Sequence, residues 1–181
     1  LGSGIQDYLL KPFSQDALRD TLGNAQAVFH APKNEAADDS PRAMVAVIGT
    51  RGGVGASTLV TSLAYLASAR EKRATALLDL DVHFGTGALA MDLEPGRGLT
   101  DAVENPSRID GLFIERAMVR ASDTLAVLSA EAPISQPLLT DGGAFHQLEE
   151  ELHSAFESTY IDLPRNMLIQ HPQLVHNANV I

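Results

Sequence analysis

The residue types that could do chemistry lie in one glycine-rich loop and in aspartates further along the chain. The segment Ile48-Gly49-Thr50-Arg51-Gly52-Gly53-Val54-Gly55-Ala56-Ser57-Thr58 follows a continuous apolar run that ends at Ile48 and precedes apolar residues at helical spacing. A phosphate chain needs backbone N–H groups turned inward, and glycine permits both the required dihedral angles and a close approach. A helix beginning near Ser57 adds its unsatisfied N–H groups and the positive end of its dipole. Ser57 stands where the hydroxyl of such a loop ligates Mg²⁺. Arg51, Gly52, Gly53, Val54, Gly55, Ala56, Ser57 and Thr58 are therefore candidate nucleotide-binding residues. The loop departs from the general pattern G-x-x-x-x-G-K-[ST] at two places: Thr50 stands at the first Gly and Ala56 at the Lys. The methyl of Ala56 cannot reach a phosphate with a charge.

Asp79 and Asp81 close the next buried-type apolar run, Ala74–Asp81, and period-2 alternation predicts both carboxylates on one side of that strand. In an open parallel sheet, ligands gather at the carboxyl ends of strands. Such a pair suits holding a water on Mg²⁺ or orienting an attacking water, so both are candidate catalytic residues. Asp162 closes a further run, Tyr160-Ile161-Asp162-Leu163-Pro164, in the setting of a carboxylate that contacts Mg²⁺. Ser57, Asp81 and Asp162 are the candidate metal ligands. His83 reads as a polar loop residue, and the other histidines lack metal-site spacing.

These residues need elements to hold them. The apolar runs at residues 44–48, 74–81, 125–128 and 158–163 read as strands, and Val180-Ile181 as the opening of a fifth. Helical patterns fall between them: Leu59, Val60, Leu63, Leu66 and Ala67; a stretch of short helices and loops over 85–122, including an amphipathic 112–119; and 144–156. Strands alternating with helices imply an α/β fold, a mostly parallel sheet with helices on both faces. Ahead of it, residues 31–42 have linker composition. Residues 1–30 hold a short apolar run followed by a helical pattern with Ser14 as N-cap.

Composition narrows the function classes. The chain of 181 residues is 45% apolar and 20% charged, ordinary for a globular protein. A formal charge of −10 is the opposite of the basic footprint that bulk nucleic-acid binding calls for. There is no cysteine, so no thiolate metal site, cysteine nucleophile or cysteine-ligated iron–sulfur cluster is possible. The lack of cysteine fits a cytoplasmic setting. No apolar run approaches the roughly 20 residues of a membrane span.

The constellation resembles the deviant Walker-A ATPases, the MinD-like and ParA-like proteins. Their loop reads K-G-G-x-G-K-[ST]-[ST]; here it reads Arg51-Gly52-Gly53-Val54-Gly55-Ala56-Ser57-Thr58. The strand ending Asp79-Leu80-Asp81 and the later Asp162-Leu163-Pro164 also match. With Leu93-Glu94-Pro95-Gly96-Arg97-Gly98-Leu99 added, residues 44–181 resemble the pilus-assembly branch called CpaE or TadZ. The stretch Gly4–Phe13, with Lys11-Pro12, resembles the end of a response-regulator receiver domain, whose Lys-Pro peptide is commonly cis. The expected domains are thus a receiver-like tail at 1–30, a linker at 31–42, and a P-loop NTPase-like domain of MinD type at 43–181, incomplete at its C-terminus.

The resemblance implies ATP and Mg²⁺ as cofactors and a homodimer as the working unit. In this group the first loop Lys reaches the partner's nucleotide across the dimer, and Arg51 occupies that position with its charge kept. It further implies a nucleotide-gated scaffold in Flp (tight-adherence) pilus assembly. Its partners would be pilus-assembly proteins, and it would sit in the cytoplasm at the cell pole or inner-membrane face. With Ala56 in place of Lys, hydrolysis is expected to be weak or absent. The alternatives are a true ParA/MinD-type positioning ATPase and a nucleotide-free interaction module.

Overall fold

The computed structural model describes residues 14, 42–135 and 142–181. Apart from Ser14 and Arg42, the receiver-like tail and the linker lie outside the described residues. Residues 42–181 form one unit. Its strands are β1 (Ala43–Val47), β2 (Thr75–Asp79), β3 (Val119–Arg120), β4 (Leu125–Leu128) and β5 (Ser158–Asp162). Its α-helices are α1 (Ala56–Glu71), α2 (Gly98–Glu104), α3 (Gly111–Ala117), α4 (Gly142–Ala155) and α5 (Arg165–Gln170). Short 3₁₀ turns cover Leu89–Met91, Pro106–Arg108 and Pro172–Val175.

The strands form one sheet in the order β1-β5-β2-β4-β3, parallel except where β3 runs against β4. The α/β class with a mostly parallel sheet is as the sequence predicts, and helices cover both faces. On one face α1 packs Val60 and Ala64 onto Leu77, Leu125 and Val127. On the other, Leu99, Ile114, Phe145, Leu148 and Leu152 from α2, α3 and α4 cover Met44, Ala46, Leu78, Leu128 and Ile161. The centres of the strands are mostly apolar because both sides are buried, as β2 and β4 are at every position.

Four local expectations shift. The second strand stops at Asp79 and does not run to Asp81. The inward face of α1 is Val60, Thr61, Ala64, Ala67 and Ser68, while Leu59 (52% exposed) and Leu66 (39%) point outward. Small side chains allow that helix to lie close on the sheet, so alanines carry the contact in place of leucines. The amphipathic 112–119 stretch ends as helix at Ala117, and Val119-Arg120 forms a two-residue edge strand. Val180 makes a single parallel bridge to Val45 on the outer side of β1. There Ala46 N–H donates to the Val180 carbonyl (2.9 Å) and Asn179 N–H to the Met44 carbonyl (2.7 Å).

Buried carboxylates cost this fold stability, Asp79 and Glu149 the most deeply buried of them. Asp79, fully buried at the end of β2, accepts the N–H of Gly87 (2.8 Å) and of Asp81 (3.0 Å). Desolvation outweighs those bonds, and the nearby Asp162 and Asp81 add to it, so its pKa rises from 3.8 to about 6. Glu149 on α4 is 2% exposed. One of its oxygens accepts Asn177 Nδ2 (3.0 Å), and the other is buried with no hydrogen-bond partner among the described residues. Burial raises its pKa from 4.5 to about 7. Glycines shape the loop around Asp79. A Cβ on Gly85 would stand 2.5 Å from the Asp81 carbonyl oxygen and 2.7 Å from Asp79 Oδ2.

Both pKa values are raised in the folded state, so both groups destabilise when ionised. Stability is expected to be greatest below pH 4 as far as these two groups are concerned. It declines as pH rises through about 6 and about 7. Glu149→Gln should remove the upper part of that decline, raising stability above pH 7 by roughly 1–3 kcal/mol in urea unfolding. An unchanged pH profile would contradict this. Gly85→Ala should destabilise by about 1–3 kcal/mol or more through overpacking against Asp79 and Asp81, read by the same unfolding curves.

Candidate functional site

The site follows from strand register. Parallel pairing sets Val47 opposite Asp162 and Asp162 opposite Asp79, so three strand ends finish level with one another. The chain leaves β1 as the glycine-rich loop, and Leu163 N–H still donates to the Val47 carbonyl (3.0 Å) as β5 runs out. Gly53 (φ +78°) and Gly55 (φ +85°) adopt the left-handed conformation, and no atom outside the local backbone lies within 4 Å of where their Cβ would be. The loop is thus open on the side a ligand would approach, and glycine is needed for its dihedral angles. Gly55 is also the N-cap of α1. No side chain caps that helix start, and no acidic residue of the helix itself lies in its first turn.

Arg51, Gly52, Gly53, Val54, Gly55, Ala56, Ser57 and Thr58 line a cleft of ≈ 660 Å³ together with Asp81, Asp162 and Arg165. Asp162 is 8% exposed, and its partner is the Ser57 hydroxyl, which donates to it. Burial raises the Asp162 pKa; the Ser57 bond lowers it, and the like charge of Asp81 raises it. Asp81 holds the following turn with one oxygen, accepting the N–H of Phe84 at Oδ1 (3.1 Å), while its carbonyl accepts Gly85 N–H (2.7 Å).

Asp79 and Asp81 are not equivalent. β2 ends at Asp79, but Leu80 N–H still donates to the Asp162 carbonyl (3.1 Å), and Leu78, Leu80 and Val82 lie in one core cluster, so the alternation runs on past the strand end. Asp81 reaches the cleft, and Asp79 is consumed by the backbone of its own loop. The geometry gives Asp79 the role of holding the 80–87 turn in place. His83 lies off the cleft, with Nδ1 3.1 Å from the Ala132 carbonyl.

Two residues that the sequence reading did not single out, Arg165 and Asn166, line the cleft beside Pro164. Pro164 (φ −63°, ψ 142°) ends the extended chain and caps α5. Arg165, the first residue of that helix, donates from Nη1 to the Thr50 carbonyl at 2.8 Å. Thr50 and Arg165 each lie three positions beyond the paired Val47 and Asp162, which is why they meet.

The donor set at this cleft suits phosphate and a hard cation. Backbone N–H groups and arginines are anion ligands. A hydroxyl beside two carboxylates suits Mg²⁺, which takes one or two protein carboxylates and completes its shell with phosphate and water. Among the described residues no group of three or more His, Cys, Asp and Glu is arranged to hold a metal by itself. Ser57, Asp81 and Asp162 would hold it. A larger cleft, ≈ 880 Å³, lies beside α1 and is lined by Thr61, Tyr65, Leu66, Met91 and Ser122. It lacks the glycine loop and the carboxylates of the smaller one.

No family model matches the chain, and no curated protein is significantly similar to it in sequence. Solved structures do match. The ParA family ATPase from Chlorobium tepidum TLS superposes with TM-score 0.68 at 14% identity, covering 78% of this chain and 60% of that one. The kinase domain of the Escherichia coli tyrosine kinase ETK matches with TM-score 0.58 at 16% identity, covering 88% and 57%. The chimerical protein CapA2B2 matches with TM-score 0.58 at 22% identity, covering 92% and 69%. The chain thus spans about three fifths of the length of the first two. No described helix is long and apolar enough to cross a membrane. At these identities the likeness establishes architecture: the chain has the α/β fold of ParA-like P-loop proteins.

Proposed function

We propose that this chain binds ATP with Mg²⁺ in the glycine-loop cleft and hydrolyses it weakly or not at all. The carrying observation is the juxtaposition of an open loop, left-handed at Gly53 and Gly55, with the Ser57–Asp162 pair, while position 56 offers only a methyl group. The backbone of 52–58 would cradle the phosphates, and Ser57, Asp81 and Asp162 would hold Mg²⁺. Bound Mg²⁺ would supply charge neutralisation between phosphate oxygens and the carboxylates. Loss of one such electrostatic stabiliser costs about 10²–10³ in rate where its position has been tested in enzymes. A nucleotide that stays bound acts by shifting an equilibrium, and it does so only by its differential affinity for one state.

The finer reading rests on the sequence resemblance. It makes the chain part of a dimeric, nucleotide-gated scaffold in Flp pilus assembly, of CpaE or TadZ type. In that reading pilus-assembly proteins recruit it to the pole or the inner-membrane face. Arg51, exposed at the loop, would serve the partner's nucleotide. The net charge of −10 disfavours the alternative of a DNA-partitioning ATPase.

Titration with a fluorescent ATP analogue and Mg²⁺, with light scattering in parallel, tests this reading. Binding with a rise in mass from monomer to dimer and little phosphate release is expected. Absence of binding at millimolar nucleotide would overturn it and leave the nucleotide-free interaction module. Ala56→Lys should raise phosphate release by about tenfold or more if the rest of the cleft is competent. An unchanged rate would mean that position 56 is not what limits hydrolysis.

A further inference from the structure

The cleft contains an acidic pair, Asp81 and Asp162, and a loop whose phosphate-facing lysine position is Ala56. A triphosphate entering it would meet backbone dipoles but no charge from position 56. Among the described residues that line the cleft, the cations are Arg51 and Arg165. Arg51 rides on the exposed loop itself. Arg165 enters from a different element, at the first position of α5, directly after the fixed Pro164. One N–H of its guanidinium is bonded to the Thr50 carbonyl at 2.8 Å. That bond uses one donor of a planar five-donor fork and holds the charge against the loop.

We propose that Arg165 supplies, within the same subunit, the phosphate-directed positive charge that Ala56 lacks. Thr50 and Arg165 each follow a paired strand end by three residues, and the bond between them ties the loop to the start of α5. A purely structural cross-link between loop and helix would not need a charge, and a lysine at 56 would not replace it. A phosphate ligand needs the charge, and a lysine at 56 would restore it from the other side of the loop. The inference rests on the nucleotide-binding reading above and names the residue that makes that binding possible without the lysine.

The test is a binding titration with a fluorescent ATP analogue and Mg²⁺, alongside AMP as competitor. It compares the unaltered chain with Arg165→Gln, Arg165→Ala, Ala56→Lys and the double variant Ala56→Lys/Arg165→Gln. Both substitutions drop the charge and, being shorter than arginine, the Thr50 bond as well; the double variant separates the two losses, since Ala56→Lys returns a charge but not that bond. Arg165→Gln and Arg165→Ala should each weaken triphosphate binding about 10- to 100-fold while changing AMP affinity far less. The salt dependence of triphosphate binding should flatten in both. The double variant should recover most of the loss. The inference is overturned if the unaltered chain binds and Arg165→Gln binds equally well. It is also overturned if the double variant binds no better than Arg165→Gln. If the unaltered chain does not bind, the nucleotide-binding reading itself has failed and takes this inference with it.

Discussion

The parallel, in-register pairing of β1, β5 and β2 is the constraint on which the rest of the site depends. It brings Val47, Asp162 and Asp79 to one level at the carboxyl edge of the sheet. Everything chemically notable then follows within a few residues of that edge: the glycine loop after β1, the aspartate turn after β2, and the Asp-Leu-Pro-Arg run after β5. Because both faces of these strands are buried, slippage by one residue would exchange core side chains from one face to the other. The register is therefore held by the whole core and not by the site.

That arrangement concentrates carboxylates. Asp79, Asp81 and Asp162 lie near enough for each other's charge to matter, and the two that are buried most deeply have raised pKa values. A sheet edge of this kind is costly without a compensating cation or anion-binding partner. The fold meets part of the cost with backbone N–H groups on Asp79 and the Ser57 hydroxyl on Asp162. Asp81 and Asp162 face the same cleft, where a bound cation would offset the remainder.

Local signals in the sequence carried the loop, the strand before it and Asp162, because a glycine run between a buried strand and a helix is informative by itself. The inequality of Asp79 and Asp81 was not legible. It depends on the backbone N–H groups of Asp81 and Gly87 closing on Asp79, with room left by Gly85 and Gly87. Arg165 was not legible either, since its meeting with Thr50 is a product of inter-strand register between segments 115 residues apart. The inward face of α1 was misread in part because leucines outweigh alanines in any hydrophobic pattern, whereas close packing on the sheet selects small side chains. The edge strand β3, two residues long, is too short for periodicity to register.

The central claim is that the glycine-loop cleft, rather than the larger one beside α1, is where a nucleotide phosphate sits. Backbone amide chemical shifts measured before and after addition of Mg²⁺ and a non-hydrolysable ATP analogue test it most directly. The account predicts the largest changes at Gly52–Ser57, with Asp81, Asp162 and Arg165 following. Changes centred on Tyr65, Met91 and Ser122, or no changes in the loop at saturating nucleotide, would contradict it.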